Sequence, residues 1–421
     1  MKLFKTNDKN LSSSLKKTAF KRLSAPEQNT QSLSPVLTRK KNLSNSPPFN
    51  TKNDISYKEF IHTVPNPSQI LSASSNKNFK QSKSTEKLPV LNKYEIKVEM
   101  EHFAEGSFSS IYIGKLIYKE CNIAVKVFNK TVKLSTKKDI LSPINSYDAD
   151  ENFVHEWRIS TILPKCENIV EFYGATKLKG YPALVFELCE DGNLSEYLKA
   201  NAKKITKLEC IDILMGISKG LNRIHSNNPS LVHNDLSSRN IVISIQNNKI
   251  IPKICDFGSS RFSGQSNRMI HQLTTEEYTP PEVWKNKSNS NTTYIDIYSF
   301  GIIISEIAIS FAVKKYYLPF GYENENRDRW KIIDTIETGN KPNVPKNIDL
   351  LFEKTMDDCL NENSKKRPSA NILLKEFECA KNSEKEKILF ILAREYSDPE
   401  QSLFGKDYLP WDIFNLLLNL F

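Results

Sequence analysis

Between residues 94 and 189 the apolar side chains mostly recur at every second position, and beyond residue 193 they recur at helical spacing. That change of period constrains the fold more than any motif, because alternate strand residues share a face whereas helical ones meet every third or fourth. "YEIKVEMEHFAEGSFSSIYIGKLI" alternates as two strands about a small-residue loop, "CNIAVKVF" reads as a third strand, and "EFYGATKL" and "YPALVFELC" as two more. One helical segment, "ENFVHEWRISTIL", interrupts them. After "DGNLSEYL" the pattern is mostly helical, as in "KLECIDILMGISKGLNRIHS" and "DIYSFGIIISEIAIS". Strands followed by helices predict an α+β chain of two lobes, a small strand-rich one over residues 94–188 and a larger helical one over 189–379. No internal repeat is visible.

Residues 1–90 are of a different kind. They are rich in Ser, Asn, Lys and Pro and hold 16 Lys or Arg against 5 Asp or Glu, a net of +11, whereas the whole chain carries +10. Such a segment buries too little apolar surface to offset its ordering entropy, which predicts a disordered basic tail. Its charge can attract an acidic partner or an anionic surface, but no aromatic interleaving or nucleic-acid module accompanies it. Ser34 and Ser46 precede prolines and Ser24 follows two basic residues, the contexts of phosphorylation sites. Residues 380–421 predict a helical extension whose apolar end, "KDYLPWDIFNLLLNLF", docks on the folded part, with contact to a membrane or a partner as the alternatives. No N-terminal apolar run reads as a signal peptide, and no uncharged apolar stretch is long enough to cross a bilayer. The seven cysteines form no CxxC pair, which predicts reduced thiols, no metal framework and an intracellular, cytoplasmic location.

The chemistry concentrates in a few polar residues within apolar runs. In "LVHNDLSSRNIVI", Asp235 can accept a proton from an incoming hydroxyl, and Asn240 offers an amide oxygen as a hard ligand for Mg2+. "ICDFG" places Asp256 before a flexible Gly258, suited to a bridging metal carboxylate. "IAVKVF" sets Lys126 among apolar neighbours, a position that is costly unless an acid or a phosphate meets the ammonium; Glu156 in "FVHEWRI" is a fitting acid. The loop "AEGSFSSIY" offers small residues and backbone N–H groups that can lie over phosphates. Taken singly, each has a plainer reading: a surface lysine on an edge strand, a loop cap, a strand turn.

Together and in this order they resemble the eukaryotic protein-kinase family, over residues 94–379. The Gly-rich loop, Lys126, Glu156, "HNDLSSRN", "DFG", "YTPPE" and "DIYSFG" fall in family order, and Arg367 of "KKRPS" matches the residue that pairs with the Glu of the A-P-E motif, here Glu282. The resemblance implies a bilobal kinase fold with ATP and Mg2+ as cofactors and protein substrates. Lys126 would contact the α- and β-phosphates and pair with Glu156, Asp235 would be the catalytic base, and Asn240 and Asp256 the Mg2+ ligands. Ala104, Gly106 and Ser109 would form the phosphate loop. Glu187 and Cys189 would bind adenine through backbone groups, Phe186 would be the gatekeeper, and Ile111, Ala124 and Val242 would sandwich the base.

The departures are informative. Ala104 and Ser109 replace two of the family's three loop glycines and narrow the accessible backbone angles. Asn234 stands where most relatives carry an Arg that pairs with an activation-segment phosphate, so regulation rather than chemistry should change. Ser160, four residues after Glu156, replaces an apolar residue expected beside Phe257 and His233. Ser237 and Arg239 give the loop a tyrosine-kinase pattern, with Arg239 at the phosphate-steering position, while "TTEEYTPPE" resembles the Ser/Thr arrangement and sets Thr275 beside Asp235. That mixture is typical of the tyrosine-kinase-like group, which mostly modifies Ser and Thr. A tyrosine or dual-specificity kinase is the alternative, and a pseudokinase scaffold the second.

Overall fold

The computed structural model describes residues 91, 95–105, 109–128, 147–264, 275–285, 292–322 and 328–397. The expected tail over residues 1–90, Gly106, the long connection after the third strand and the apolar C-terminal stretch lie outside them.

Five strands form one antiparallel sheet in the order β1-β2-β3-β5-β4: β1 Ile96–Glu105, β2 Ser110–Leu116, β3 Cys121–Val127, β4 Phe172–Leu178 and β5 Tyr181–Glu187. Alternation sorts the side chains into two faces. Tyr112, Leu116, Ile123, Val125 and Val127 pack with Leu91 and Ile96 on one face. On the other, the helix α1 (Tyr147–Ile162) brings Phe153 and Trp157 against Phe128, Ala175 and Leu184. Register sets Ile111 beside Lys126 and Ala124 beside Phe186, so the residues expected around a nucleotide share this second face. The third strand is central rather than an edge, which removes the option of Lys126 as an edge-strand surface lysine.

The helical part is built on α2 (Leu194–Asn201), α3 (Lys207–His225), α4 (Pro281–Trp284), α5 (Tyr294–Val313), α6 (Arg329–Glu337), α7 (Leu350–Cys359) and α8 (Ala370–Ser397). Capping boxes, Asn193 with Glu196 and Thr206 with Glu209, start α2 and α3. From Asn382 onward α8 belongs to a second unit, described only by itself as a continuing helix. α5 is long and apolar enough to span a membrane by length and composition, and 89% of its most apolar window is buried in the fold. A helix that is apolar on all sides is the expected centre of a large core, and it carries Asp296 and Glu306 inside that core.

Two short ladders, β6 (Leu231–Val232) with β9 (Arg261–Phe262) and β7 (Ile241–Gln246) with β8 (Lys249–Ile254), also lie in this helical part. They are the strand exceptions within a stretch expected to be mostly helical. α3 lies close on β8: a Cβ at Gly216 would come within 2.5 Å of Pro252, and one at Gly220 within 2.7 Å of the Asn168 carbonyl oxygen. Only glycine permits that approach. It places the strand leading into Asp256 directly on the helical core.

Candidate active site

Three charged residues from three elements meet at one point. Lys126 Nζ of β3 donates to Glu156 Oε1 at 2.8 Å and Oε2 at 2.7 Å, and to Asp256 Oδ1 at 2.8 Å. Glu156 is buried on the inner face of α1, which satisfies the requirement that a sheltered ammonium meet an acid. Burial alone would lower the lysine, but the charges of Asp256 and Glu156 hold it above its ordinary range. Burial pushes the Glu156 carboxyl up to about 7, against the pull of Lys126. Enclosure would raise Asp256 too, yet 47% of its side chain faces the cleft and the Lys126 ammonium wins, holding it below its ordinary range. Asp256 takes a left-handed backbone, φ 62°, at the start of the short 3-10 turn Phe257–Ser259.

Asp235 is gripped from two sides. Its Oδ1 accepts from the Thr275 N–H at 2.9 Å and from Thr275 Oγ1 at 3.1 Å; its Oδ2 accepts from Asn240 Nδ2 at 3.1 Å. The same Asn240 nitrogen donates to the Asp235 carbonyl at 2.7 Å, so the amide oxygen is left as the hard donor. Burial pushes the Asp235 carboxyl above the usual range, opposed by the Thr275 N–H and helped by the Asp256 charge. Arg239, exposed, reaches Thr275 Oγ1 at 3.4 Å.

The loop that carries Asp235 hangs from α5. Asp296, fully buried, accepts the N–H groups of His233 at 2.8 Å and Asn234 at 2.9 Å, and faces His225 Nε2 at 2.8 Å. Asn234 takes φ 67°, a conformation that Asn tolerates better than most residues, and donates its side-chain N–H to the Ser259 carbonyl at 3.1 Å. The His233 and Phe257 rings lie 5.1 Å apart; Ser160 is buried, its hydroxyl without a hydrogen-bond partner.

Of the residues expected at the nucleotide, Cys189 lines a cavity of about 490 Å³, together with Val98, Ile113 and Leu188, which the sequence did not single out. Val242 bridges to Asn193. Glu187 turns its carboxylate to Lys253 at 3.0 Å, which leaves only its backbone for a base. Ala104 pairs with Ile111 at the end of β1, and Ser109 is buried where β2 begins; Gly106 between them lies outside the described residues. Arg367 meets Glu282 through two bonds of 2.6 and 2.8 Å. His155 was not legible: its Nε2 faces Arg261 Nη1 and lies 2.8 Å from the Ser260 carbonyl, so α1 touches the chain just after Asp256. Burial and the neighbouring Arg261 lower His155 to about 4.

Among the described residues no three His, Cys, Asp or Glu side chains cluster to hold a metal by themselves. Asn240 and Asp256 are two hard oxygen donors, the set expected of a Mg2+ site that substrate phosphates complete.

A strand-rich lobe over a helical one, with a lysine–glutamate pair between sheet and helix and an aspartate held in a loop below, defines a class of phosphate-transferring folds. The protein kinase domain family matches residues 98–377, and the chain belongs to that family. It is 28% identical over 277 residues to stress-activated protein kinase alpha of Dictyostelium discoideum, covering 65% of this chain and 40% of that protein. A probable LIM domain-containing serine/threonine-protein kinase of the same organism is 29% identical over 267 residues, covering 63% of this chain and 36% of its own length. The tyrosine-protein kinase transmembrane receptor Ror of Drosophila melanogaster is 27% identical over 280 residues, covering 64% of this chain and 36% of that receptor. The chain therefore spans less than half the length of these relatives.

Proposed function

We propose that this chain is an active protein kinase that transfers the γ-phosphate of ATP to Ser or Thr hydroxyls of protein substrates. The observation that carries this reading is the ammonium of Lys126, held at once by Glu156 and Asp256 at 2.7–2.8 Å. Such a point charge, fixed above a metal carboxylate, suits the polyphosphate of ATP. Lys126 would hold the α- and β-phosphates, and Asn240 and Asp256 would hold Mg2+, which neutralises charge on the phosphates. Asp235 would orient and deprotonate the acceptor hydroxyl; its raised pKa suits a base that must both take and release a proton. Arg239 would steer the transferred phosphate. Backbone groups of Glu187 and Cys189 would hold adenine between Ile111, Ala124 and Val242, under a loop made by Ala104, Gly106 and Ser109.

Thr275 on Asp235 favours Ser/Thr acceptors, as do the Ser/Thr kinases among the similar proteins. Arg239 and the absence of a lysine at Ser237 favour a tyrosine or dual-specificity reading, and the mixture of the two supports membership of the tyrosine-kinase-like group. A location inside the cell belongs to the same proposal, since its seven cysteines are free. The test is Mg2+-dependent transfer from labelled ATP to generic protein substrates, wild type beside Asp256→Ala, followed by phosphoamino-acid analysis. Transfer lost in the variant supports an enzyme, and the labelled residue names the acceptor. No transfer by either protein would leave a pseudokinase scaffold as the better reading.

A further inference from the structure

Beneath the site lies a buried carboxylate that the reaction above does not use. Glu306 of α5 is 1% exposed, and among the described residues hydroxyls, not a Lys or Arg, are its partners. Tyr278 donates to its Oε2 at 2.7 Å, Tyr316 donates to its Oε1 at 2.7 Å, and Ser238 donates to Oε1 at 3.0 Å. Ser238 Oγ also lies 2.9 Å from the Tyr278 hydroxyl. Three hydroxyl protons serve these four short contacts, so the carboxylate and the serine–tyrosine contact share them and bind the four side chains into one network. Burial pushes Glu306 up to about 7 against these donors. A buried polar network of this kind fixes geometry only while every member is satisfied.

The members come from elements that matter. Ser238 opens the 3-10 turn Ser238–Asn240, and Tyr278 closes the 3-10 turn Glu276–Tyr278. Asn240, in the first turn, holds Asp235 Oδ2; Thr275, the residue before the second, holds Oδ1. Each oxygen of the proposed base is thus held from a different turn, and both turns are pinned to one carboxylate.

We propose that Ser238, Tyr278, Glu306 and Tyr316 form a positioning unit that sets the orientation of Asp235 for the acceptor hydroxyl. The unit rests on the kinase reading. Its residues touch neither nucleotide nor acceptor and act through Asp235 and Thr275. Ser238 is the bridge between the two turns, since it reaches Tyr278 and Glu306 together.

The test uses the full chain as Ser238→Ala and Tyr316→Phe, each deleting one hydroxyl, with two readouts. Ser238→Ala is expected to lower kcat/KM for a protein substrate about tenfold, the factor set by roughly 1.4 kcal/mol for a buried hydrogen bond, with the Kd for ATP within about twofold of wild type. Tyr316→Phe, outside both turns, should act in the same direction and more weakly. Amide hydrogen exchange across residues 275–279 should quicken about tenfold in Ser238→Ala by the same conversion. Equal loss of ATP affinity and turnover would mean mere destabilisation and overturn the proposal, as would unchanged exchange at residues 275–279. Wild type that transfers no phosphate would refute the kinase reading, while the exchange measurement would still decide for or against the unit.

Discussion

Asn234 stands where the family resemblance leads one to expect an Arg, and its side chain has a direct partner. Its side-chain N–H donates to the Ser259 carbonyl at 3.1 Å, three residues beyond Asp256. The same stretch is held by Ser260 Oγ donating to the His233 carbonyl at 3.2 Å and by the His155–Arg261 contact. All of these bonds are internal to the chain, so the start of the activation segment is ordered without a phosphate. Asn234→Gly keeps the left-handed backbone and the 2.9 Å bond to Asp296 while deleting the amide. A neutral hydrogen bond contributes about 1 kcal/mol net, so the ratio of ordered to disordered segment should fall about fivefold. Asn234→Ala loses the same bond and adds a left-handed backbone cost of about 1–2 kcal/mol. The assay is the initial transfer rate before and after treatment with a broad phosphatase. Wild type should be unaffected, Asn234→Gly slower by up to about fivefold by the same conversion, and Asn234→Ala slower again. A collapse of the wild-type rate on dephosphorylation, with circular dichroism unchanged, would refute the reasoning.

Three further outcomes follow from single sites. Ser160 has a buried hydroxyl without a partner in a helix, so Ser160→Ala should raise stability by about 1 kcal/mol in denaturant unfolding. Arg367, with its side chain fully buried, makes two bonds to Glu282 and one each to the Asn361 and Tyr294 carbonyls; Arg367→Ala should cost about 3–5 kcal/mol and lower Tm sharply. His155 is held near 4, below its ordinary 6.5, so between those values the unfolded chain binds the extra proton and the folded one does not. Its contribution is therefore intact above pH 6.5 and lost as the pH falls toward 4, on the order of 3 kcal/mol at about 1.4 for each unit; His155→Gln should flatten that part of the stability profile.

The five-stranded sheet and the long helices are legible in the sequence because burial imposes a period on each, as at Ile123, Val125 and Val127 of β3. Lys126, Glu156 and Asp256 are legible because charges among apolar neighbours need partners. The β7–β8 hairpin went unread although its signal is present: Asn247 and Asn248, at φ 49° and 62°, form a two-residue turn between "IVISIQ" and "KIIPKI". His155, Arg261 and Ser238 had no readable signal, because their roles depend on partners 106 and 68 positions away in the chain. Local pattern reports which face a residue occupies, not which distant residue meets it there.

α5 shows why such a fold tolerates two carboxylates in its driest helix. Asp296 and Glu306 are ten residues apart, about 15 Å along the axis, and each is fully enclosed. Among the described residues neither pairs with a Lys or Arg: Asp296 takes two backbone N–H groups and His225, and Glu306 takes three hydroxyls. An arginine partner would fix one bond direction and bring its own desolvation cost, whereas several neutral donors from separate loops converge on one acceptor. Asp296 thereby holds the backbone at Asn234, one residue before Asp235, and Glu306 holds the turns on both sides of the Asp235 carboxylate. The loop that carries Asp235 is thus tied to α5 at these two points, and the long apolar helix fixes their spacing.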